Sequence, residues 1–580
     1  MFQSFKVLVS GLLSLVFMLL SWPTPVLAKA DPFLWRQQVI YLLIPDRFAN
    51  GDISNDHGND MGCSYPDWER SFHGGDFSGI KQHIDYLKEL GVTAVWSTPI
   101  YQQISDAVQV VGCGFHGYWP NYTIPYTGAV EPHLGTDAEF TDLLQTLDAN
   151  DMHYIMDIVV NHAGYDAEVL AAQPDWFHAG SEPCQPLSLG QISCPLALGE
   201  LADLWRPCLK GGPERIYCPL FGLPDFMQEK PEVAQYLVDA HLLLLKKFPL
   251  IDGIRVDTVR HVELDFFSDV WLPAIREVRP DLFLEGEILY GFPAVPQQVL
   301  TPYLRAGFDS VFNFPLRSAI ENTFAWEGSI NLIADRVQAT IQEHGLEQAL
   351  IMTNLVDNHD IPRLTSGIER IVGPATDPAN AEEIRDRYHL ALSMLFTLPG
   401  IPQLYYGDEL GMLGKEEPSN RRDMPEWAWT QEGRQSHPTG SDFLVDVDKS
   451  FQYMKRLIKL RQENQALYDG YYIELFRQWD LDQPNVYAFI RGYGDNRILV
   501  ILNNGIPTGT LEINLKGVSD LRVADPIALG DGSELVELLN EGAPSKLVVQ
   551  DGKLHFQMPA KSVGVYQVHS SKSVALSDTQ

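Results

Sequence analysis

An apolar, β-branched run at Ile251–His261, IDGIRVDTVRH, ends abruptly in Arg255, Asp257, Arg260 and His261. Burying an unpaired charge is costly, so such groups inside a strand belong where they pair or face a site. Arg255 and Asp257 stand two residues apart and therefore leave a strand on one face. A guanidinium beside a carboxylate keeps it ionised, which equips Asp257 as a nucleophile. Glu287 has the opposite setting, between Phe283-Leu284 and Ile288-Leu289. Apolar surroundings disfavour the anion and suit a carboxyl to carry a proton. Taken alone, Arg255 and Asp257 also read as a structural ion pair. What separates the two readings is where the other carboxylates fall.

Those carboxylates close a repeating pattern. Short β-rich runs occur at Val39–Leu43, Val92–Trp96, Tyr154–Val160, Ile251–Asp257, Leu282–Glu287, Phe308–Asn313, Ile351–Val356 and Ile401–Tyr405, each followed by a longer amphipathic segment. Strands alternating with helices in this way predict a (β/α)8 TIM barrel, an α/β fold whose chemistry lies at the C-terminal strand ends. Asp157, Asp257, Glu287 and Asp360 or its neighbours stand at those ends. Ile80, Ile84, Leu87 and Leu90 form an apolar stripe that predicts one helix over Ile80–Leu90. Residues 29–465 read as the barrel domain, its last helix lying at about Ser450–Asn464. A Cys-, Gly- and Pro-rich excursion at 162–226 reads as an inserted subdomain after strand 3. From 466 to 570 apolar and polar residues alternate between turn signals such as Asn503-Asn504-Gly505 and Gly530-Asp531-Gly532, predicting a C-terminal antiparallel β-sandwich. Residues 571–580 read as a frayed tail.

Composition narrows the function classes. The chain has 580 residues, 45% hydrophobic and 11% aromatic, as expected for well-packed globular domains. Its formal charge of −34 would repel nucleic acid and anionic membranes alike. At the start, Lys6, the apolar stretch Val7–Leu20 and the small-residue site Val26-Leu27-Ala28 form a signal-peptide pattern over residues 1–28. The expected location is therefore extracytoplasmic, secreted or periplasmic, with no membrane association after cleavage. Export makes Cys63, Cys113, Cys184, Cys194, Cys208 and Cys218 candidates for three disulfides, with their connectivity open. No CxxC pair or His spacing favours zinc.

Seven segments carry a resemblance. GVTAVWSTP (91–99), DIVVNH (157–162), LPD (223–225), GIRVDTVRH (253–261), GE (286–287), DNHD (357–360) and GIPQLYYGDE (400–409) resemble, in this order and spacing, the α-amylase family of retaining glycoside hydrolases. The resemblance runs through most of residues 31–465, and the C-terminal sandwich is also typical of that family. It implies Asp257 as nucleophile, Glu287 as general acid and Asp360 as the carboxylate that grips the distorted sugar. It also implies that His162 and His359 bond to the same ring, and that Arg255 belongs to the substrate site. The loop Gly114-Phe115-His116-Gly117-Tyr118-Trp119 matches one whose tyrosine stacks on the sugar. Tyr118 is that candidate, with His116 beside it, whereas Trp119 reads as packing. Arg260-His261 resembles a Lys-His pair contacting glucose beyond the scissile bond, with Arg in place of Lys.

The resemblance further implies one or two Ca²⁺ ions. Asn161, Asp225 and the His261 main-chain carbonyl match a site that ties the insert to the barrel, with its remaining ligands somewhere in 163–224. Asn50, Asp52, Asn55, Asp56, Gly74 and Asp76 resemble a second calcium loop, for which an Asx-rich turn is the alternative. The activity implied is hydrolysis of α-1,4-glucosidic bonds in starch, glycogen or maltooligosaccharides by a monomer. A cyclodextrin glucanotransferase-like enzyme and a cyclomaltodextrinase- or neopullulanase-like enzyme are the alternatives. Leu289, aliphatic two residues after the acid, is amylase-like, while the aromatic Phe221 is transferase-like. Asn420-Arg421-Arg422-Asp423-Met424-Pro425 resembles a loop of oligosaccharide-acting members.

Overall fold

Eight short strands form one parallel sheet: β1 Ile40–Leu43, β2 Ala94–Ser97, β3 His153–Val159, β4 Gly253–Asp257, β5 Phe283–Gly286, β6 Ser310–Val311, β7 Thr353–Asn354 and β8 Ile401–Tyr405. The computed structural model describes residues 30–57, 63, 69–108, 111–179, 181, 185–186, 191–193, 213–289, 296–437, 442–478, 485–515 and 529–569. Neighbouring strands run from β7 through β8, β1, β2, β3, β4 and β5 to β6. A parallel bridge between Phe312 and Thr353 brings β6 back to β7 and closes the ring. Each strand falls within or beside its predicted run. β1, β2, β4, β5 and β8 are buried along their whole length, which is why they read as nearly continuous apolar stretches rather than as an alternation.

Register matters more here than strand length. Asp157 on β3 pairs with Arg255 on β4, Arg255 with Glu285 on β5, and Glu285 with Ser310 on β6. A band of polar side chains therefore crosses the barrel interior one step below the strand ends. Just past those ends the chain presents Asn161 and His162 after β3, Glu287 after β5 and Asp357–Asp360 after β7.

The predicted helix over Ile80–Leu90 is two helices, Phe77–Gln82 and Ile84–Leu90. The backbone leaves the helical region at His83 (φ −109°, ψ 19°), whose ring lies on Trp429 at 3.9 Å between centroids. The stripe of Ile80, Ile84, Leu87 and Leu90 is still buried, so the apolar periodicity survives the break. The insert joins the loop after β2. Its strand Gln191–Ser193 pairs in parallel with Ala107–Val108 and antiparallel with Gln185–Pro186. Cys63 and Cys113 form a disulfide linking the loops after β1 and β2, and Cys218 is also disulfide-bonded. Cys184, Cys194 and Cys208, the signal-peptide segment and the tail lie outside the described residues.

After the helices Val447–Glu463 and Gln465–Asp469, the chain forms β9 Tyr471–Gln478, β10 Val486–Tyr493, β11 Asn496–Asn503, β12 Leu511–Asn514, β13 Glu534–Glu537, β14 Lys546–Gln550, β15 Lys553–Phe556 and β16 Ser562–His569. They pair antiparallel in the order β9-β10-β11-β16-β13-β14-β15-β12, and the two end strands, β9 and β12, approach each other around a separate apolar core. Tyr487, Phe489, Val500 and Leu502, on the opposite face, pack into the barrel core. Both faces of β10 and β11 are thus buried. Two fully buried arginines brace this junction through main-chain carbonyls. Arg491 donates to Thr397, Gly470 and Tyr471, and Arg461 to Arg36, Gly400 and Leu467. No helix among the described residues is long and apolar enough to cross a membrane.

Candidate active site

At the mouth of the barrel one guanidinium gathers the carboxylates. Arg255 is fully buried, with Nη1 at 2.9 and 3.0 Å from the Asp157 oxygens and 2.8 Å from Asp257 Oδ1. Its Nη2 lies 2.7 Å from Glu287 Oε1. The cation rests over the Trp96 ring at 5.2 Å and the Tyr118 ring at 5.7 Å. Asp157 has further donors in Trp96 Nε1 (3.0 Å) and the Tyr118 hydroxyl (2.7 Å). Burial pushes the Asp157 carboxyl up to about 7 against the pull of Arg255. The sequence marks Asp157 only as a strand-end carboxylate; the structure makes it the anchor of Arg255 and Tyr118.

Glu287 is almost wholly buried. Desolvation pushes its pKa up to about 8; Arg255 opposes this, while Asp257 and Asp360 reinforce it. Its second oxygen accepts from the main-chain N–H of Thr258 at 3.2 Å. Thr258 is left-handed (φ 47°, ψ 34°), an unfavourable conformation for a β-branched residue. That turn, directly after Asp257, aims its N–H at Glu287.

Aromatic and imidazole rings wall the space above. His359 lies parallel to Tyr118 at 5.0 Å, and His116 stacks on the same tyrosine at 5.7 Å. His162 Nε2 is 3.1 Å from the Tyr118 carbonyl oxygen. Burial lowers the pKa of all three histidines and so favours their neutral form. Trp119 is buried and edge-on to Tyr165 at 5.0 Å. Asp360 is more open, its side chain 28% exposed, and lies 3.2 Å from Arg421 Nη2. Arg421 Nε and Asn420 Nδ2 both donate to the His359 carbonyl, at 2.9 and 2.8 Å. The positioning part of Arg421 is not apparent from sequence, because the loop after β8 meets the loop after β7 only in the folded chain.

Arg260 donates to the Leu289 carbonyl at 2.5 Å, while its own carbonyl accepts from Arg215. The His261 ring faces the Arg215 carbonyl at 3.2 Å, and burial lowers its pKa to about 4. Leu289 is half-buried, and Phe221 is half-exposed with a positive φ.

Two clusters carry the candidate metal residues. Asn161 and Asp225 are brought together by the bridge between His162 and Asp225 and by Phe226 N–H donating to the Asn161 carbonyl at 2.9 Å. Asn161 Oδ1 and Asp225 Oδ1 are buried without a hydrogen-bond partner, as are Gln228 Oε1 and both Glu263 carboxylate oxygens. Hard oxygens left unsatisfied in this way suit Ca²⁺. His178, absent from the sequence reading, lies 2.7 Å from Asp225 Oδ2 and 3.1 Å from Glu229. Among the described residues no three acidic, His or Cys side chains form a metal cluster by themselves, so amide and main-chain oxygens would have to contribute. The second cluster is a closed turn. Asp76 accepts from the N–H groups of Gly51, Asp52 and Gly79 and from the Asn55 amide, and Asn50 donates to Asp56 at 2.8 Å. Gly74 has φ +93°, and a Cβ there would meet the Asn50 and Asp56 side chains. Asn55 Oδ1 is the buried oxygen left without a hydrogen bond in this turn.

Residues 42–442 match the family model of the alpha-amylase catalytic domain. A cyclomaltodextrinase from Thermoanaerobacter pseudethanolicus is 29% identical over 518 residues, covering 86% of this chain and 76% of that protein. The crystal structure of an Anoxybacillus alpha-amylase aligns with a TM-score of 0.70 at 27% identity, over 93% of this chain and 99% of that one. A cyclomaltodextrin glucanotransferase with a three-domain ABC distribution aligns at 0.68 and 25% identity, over 93% and 99% of the two chains.

The burial of Glu287 has a consequence for stability. Its folded pKa of about 8 exceeds the ordinary 4.5. Between those values the folded chain holds a proton that the unfolded chain has lost, so stability falls as pH rises through that window. Glu287→Gln removes the titrating group. It is expected to melt several degrees above the unsubstituted enzyme at pH 8, a difference on the order of 2–4 kcal/mol. The gap should close towards pH 4.5. Calorimetry across this range checks it, and equal melting temperatures at pH 8 would contradict the desolvated acid.

Proposed function

The chain belongs to the alpha-amylase family of glycoside hydrolases, and from that premise we propose that it cleaves α-1,4-glucosidic bonds in starch, glycogen or maltooligosaccharides with retention of configuration. The observation carrying this reading is the grip of one guanidinium on two unlike carboxyl groups. Arg255 lies 2.8 Å from Asp257 and 2.7 Å from Glu287, and a shared cation supports a close spacing of the two groups. Retention needs that close spacing, with one carboxylate attacking and the other group protonating the leaving oxygen. Asp257 is the proposed nucleophile. Glu287, deprived of water, is the proposed acid and then the base for the incoming water. Asp360, supported by Arg421, grips the sugar, with the rings of Tyr118, His116, His162 and His359 around it and Arg260 and His261 on the far side of the scissile bond.

The alternative, a cyclomaltodextrinase or glucanotransferase, is favoured by the names of the relatives and by Phe221. Product profiles on soluble starch, maltooligosaccharides and β-cyclodextrin separate the readings. An amylase releases linear oligosaccharides from starch faster than it opens the cyclodextrin ring. Faster ring opening would reassign the enzyme to cyclomaltodextrinase, and cyclic products to the transferases.

Calcium is proposed at Asn161, Asp225 and the His261 carbonyl, supported by the unsatisfied oxygens there. A second ion is proposed in the turn of Asn50, Asp52, Asn55, Asp56, Gly74 and Asp76. Such ions would brace loops around the site without entering the chemistry. An ion that binds only the folded chain adds about 2.7 kcal/mol at a hundredfold excess over Kd. A chelator should therefore lower Tm, added Ca²⁺ should restore it, and Asp225→Asn should blunt the response. A Tm indifferent to chelator would remove the structural ion.

The roles of the two carboxyl groups are tested by how their replacements fail. Asp257→Asn lacks the attacking group on every substrate. Glu287→Gln lacks only the proton donor, worth about 10²–10⁴-fold. With α-maltosyl fluoride, whose leaving group needs no proton, Glu287→Gln should recover that factor in the first step. Rescue of Asp257→Asn instead would reverse the assignment.

A further inference from the structure

The inserted subdomain reaches the cleavage site through a residue that the chemistry above leaves unused. Arg215 is half-buried in the short helical turn Pro213–Ile216 of the insert. It meets a second such turn, Val259–His261, which follows β4. Arg215 Nε donates to the Arg260 carbonyl at 2.8 Å, and the Arg215 carbonyl oxygen lies 3.2 Å from His261 Nδ1. A carbonyl oxygen can only accept, so Nδ1 carries the hydrogen. The side chain of Arg215 thus holds one residue and its main chain holds the next. In the neutral His261 ring the same bond leaves Nε2 as the acceptor.

The gripped turn borders the acid. Thr258, just before it, donates its N–H to Glu287 Oε2 at 3.2 Å. Arg260 Nη1 donates to the carbonyl of Leu289, two residues past Glu287, at 2.5 Å. An acid that protonates the leaving oxygen stands on the side of the departing sugar, so Arg260 is fastened on that side. Thr258 also keeps a left-handed backbone (φ 47°) that a β-branched residue disfavours. Such a conformation persists only where the surroundings hold it. Glu287 holds one end of this turn, and Arg215, from the insert, holds the other.

We propose that Arg215 is a positioning residue for the sugar beyond the scissile bond: from the insert it fixes the Arg260 main chain and the His261 ring, and with them the groups that hold the departing saccharide. The proposal rests on the reading of Glu287 as the general acid, with Arg260 and His261 on the leaving-group side. Arg215 reaches the sugar through these two residues and has no part in bond breaking. Its loss should therefore be felt in proportion to what the substrate places on that side. A leaving group that is a saccharide depends on it, and a leaving group that is a single atom does not.

The experiment compares Arg215→Ala with the unsubstituted enzyme on two substrates. On maltooligosaccharide kcat/KM should fall about tenfold, the effect of one lost hydrogen bond from a charged donor. On α-maltosyl fluoride, which places no sugar beyond the bond, kcat/KM should be unchanged. Arg215→Lys lacks the planar Nε–H and should move the same way by less, which keeps the test open if the alanine variant fails to fold. In an Arg260→Ala/His261→Ala background, Arg215→Ala should cost nothing further on maltooligosaccharide. A loss that persists in that background would place its effect on the acid rather than on the sugar and overturn the proposal. Equal losses on both substrates, the mark of a structural disturbance, or no loss on either would also overturn it. Failure of the fluoride to rescue Glu287→Gln would instead overturn the assignment of the acid itself.

Discussion

A guanidinium with no access to water is tolerable only when acceptors surround it, and Arg255 is held by the carboxyl groups of Asp157, Asp257 and Glu287 together. Desolvating so many charges in one place costs more than their attraction returns unless every contact is well formed. The barrel brings the carboxyl groups within reach of the cation. Asp157 and Arg255 are registered partners on adjacent parallel strands, and Glu287 follows the strand next to them. Shifting β3, β4 or β5 would break contacts of this buried cluster. The closure of the sheet and the assembly of the site are therefore one constraint.

The same arrangement makes chemically identical groups unlike. Both are buried, but Asp257 accepts a hydrogen bond from the cation, whereas the Glu287 oxygen nearest the cation makes none. The proposed acid and anion need no special residue; unequal hydrogen bonding of two buried carboxyl groups to one positive charge is enough to set them apart. The overall charge of −34 has little bearing on this, since surface carboxylates are screened within about 8 Å at physiological salt.

How far the sequence discloses this depends on whether the cause is local. The strands are legible because a run buried on both faces must be apolar throughout, as in β1 and β8. The location of the carboxylates is legible because charges interrupt such runs only at their ends. The break at His83 is not legible, since the stripe from Ile80 to Leu90 keeps its helical spacing across it, and the ring that His83 meets there belongs to Trp429, 346 residues away. His178 is invisible for the same kind of reason: an imidazole has no signature until folding sets it against Asp225, 47 residues on. Arg421 sits in a segment whose family resemblance could be seen but whose contact with Asp360 spans 61 residues. Glu285 stands inside an apolar run and looks like an error in the pattern until its neighbours Ser310 and Thr353 are known.

The third carboxylate shows where the fold leaves room for change. Asp257 and Glu287 are held from within the barrel, by a residue that also holds Asp157. Asp360 is held from outside it, by Arg421 on the loop after β8, which also takes the His359 carbonyl and lies 3.5 Å from Glu417. A change in the barrel layer would unsettle all the buried charges at once, so that layer cannot drift. A change in the loop after β8 would move Asp360 and the proposed sugar contacts beside it while the Arg255 cluster stayed whole. Loops carried on a rigid frame are where binding differences accumulate. One barrel can therefore keep the proposed bond-breaking pair and still change what it holds, because the groups proposed to grip the sugar and those proposed to break its bond are fastened to different parts of the chain.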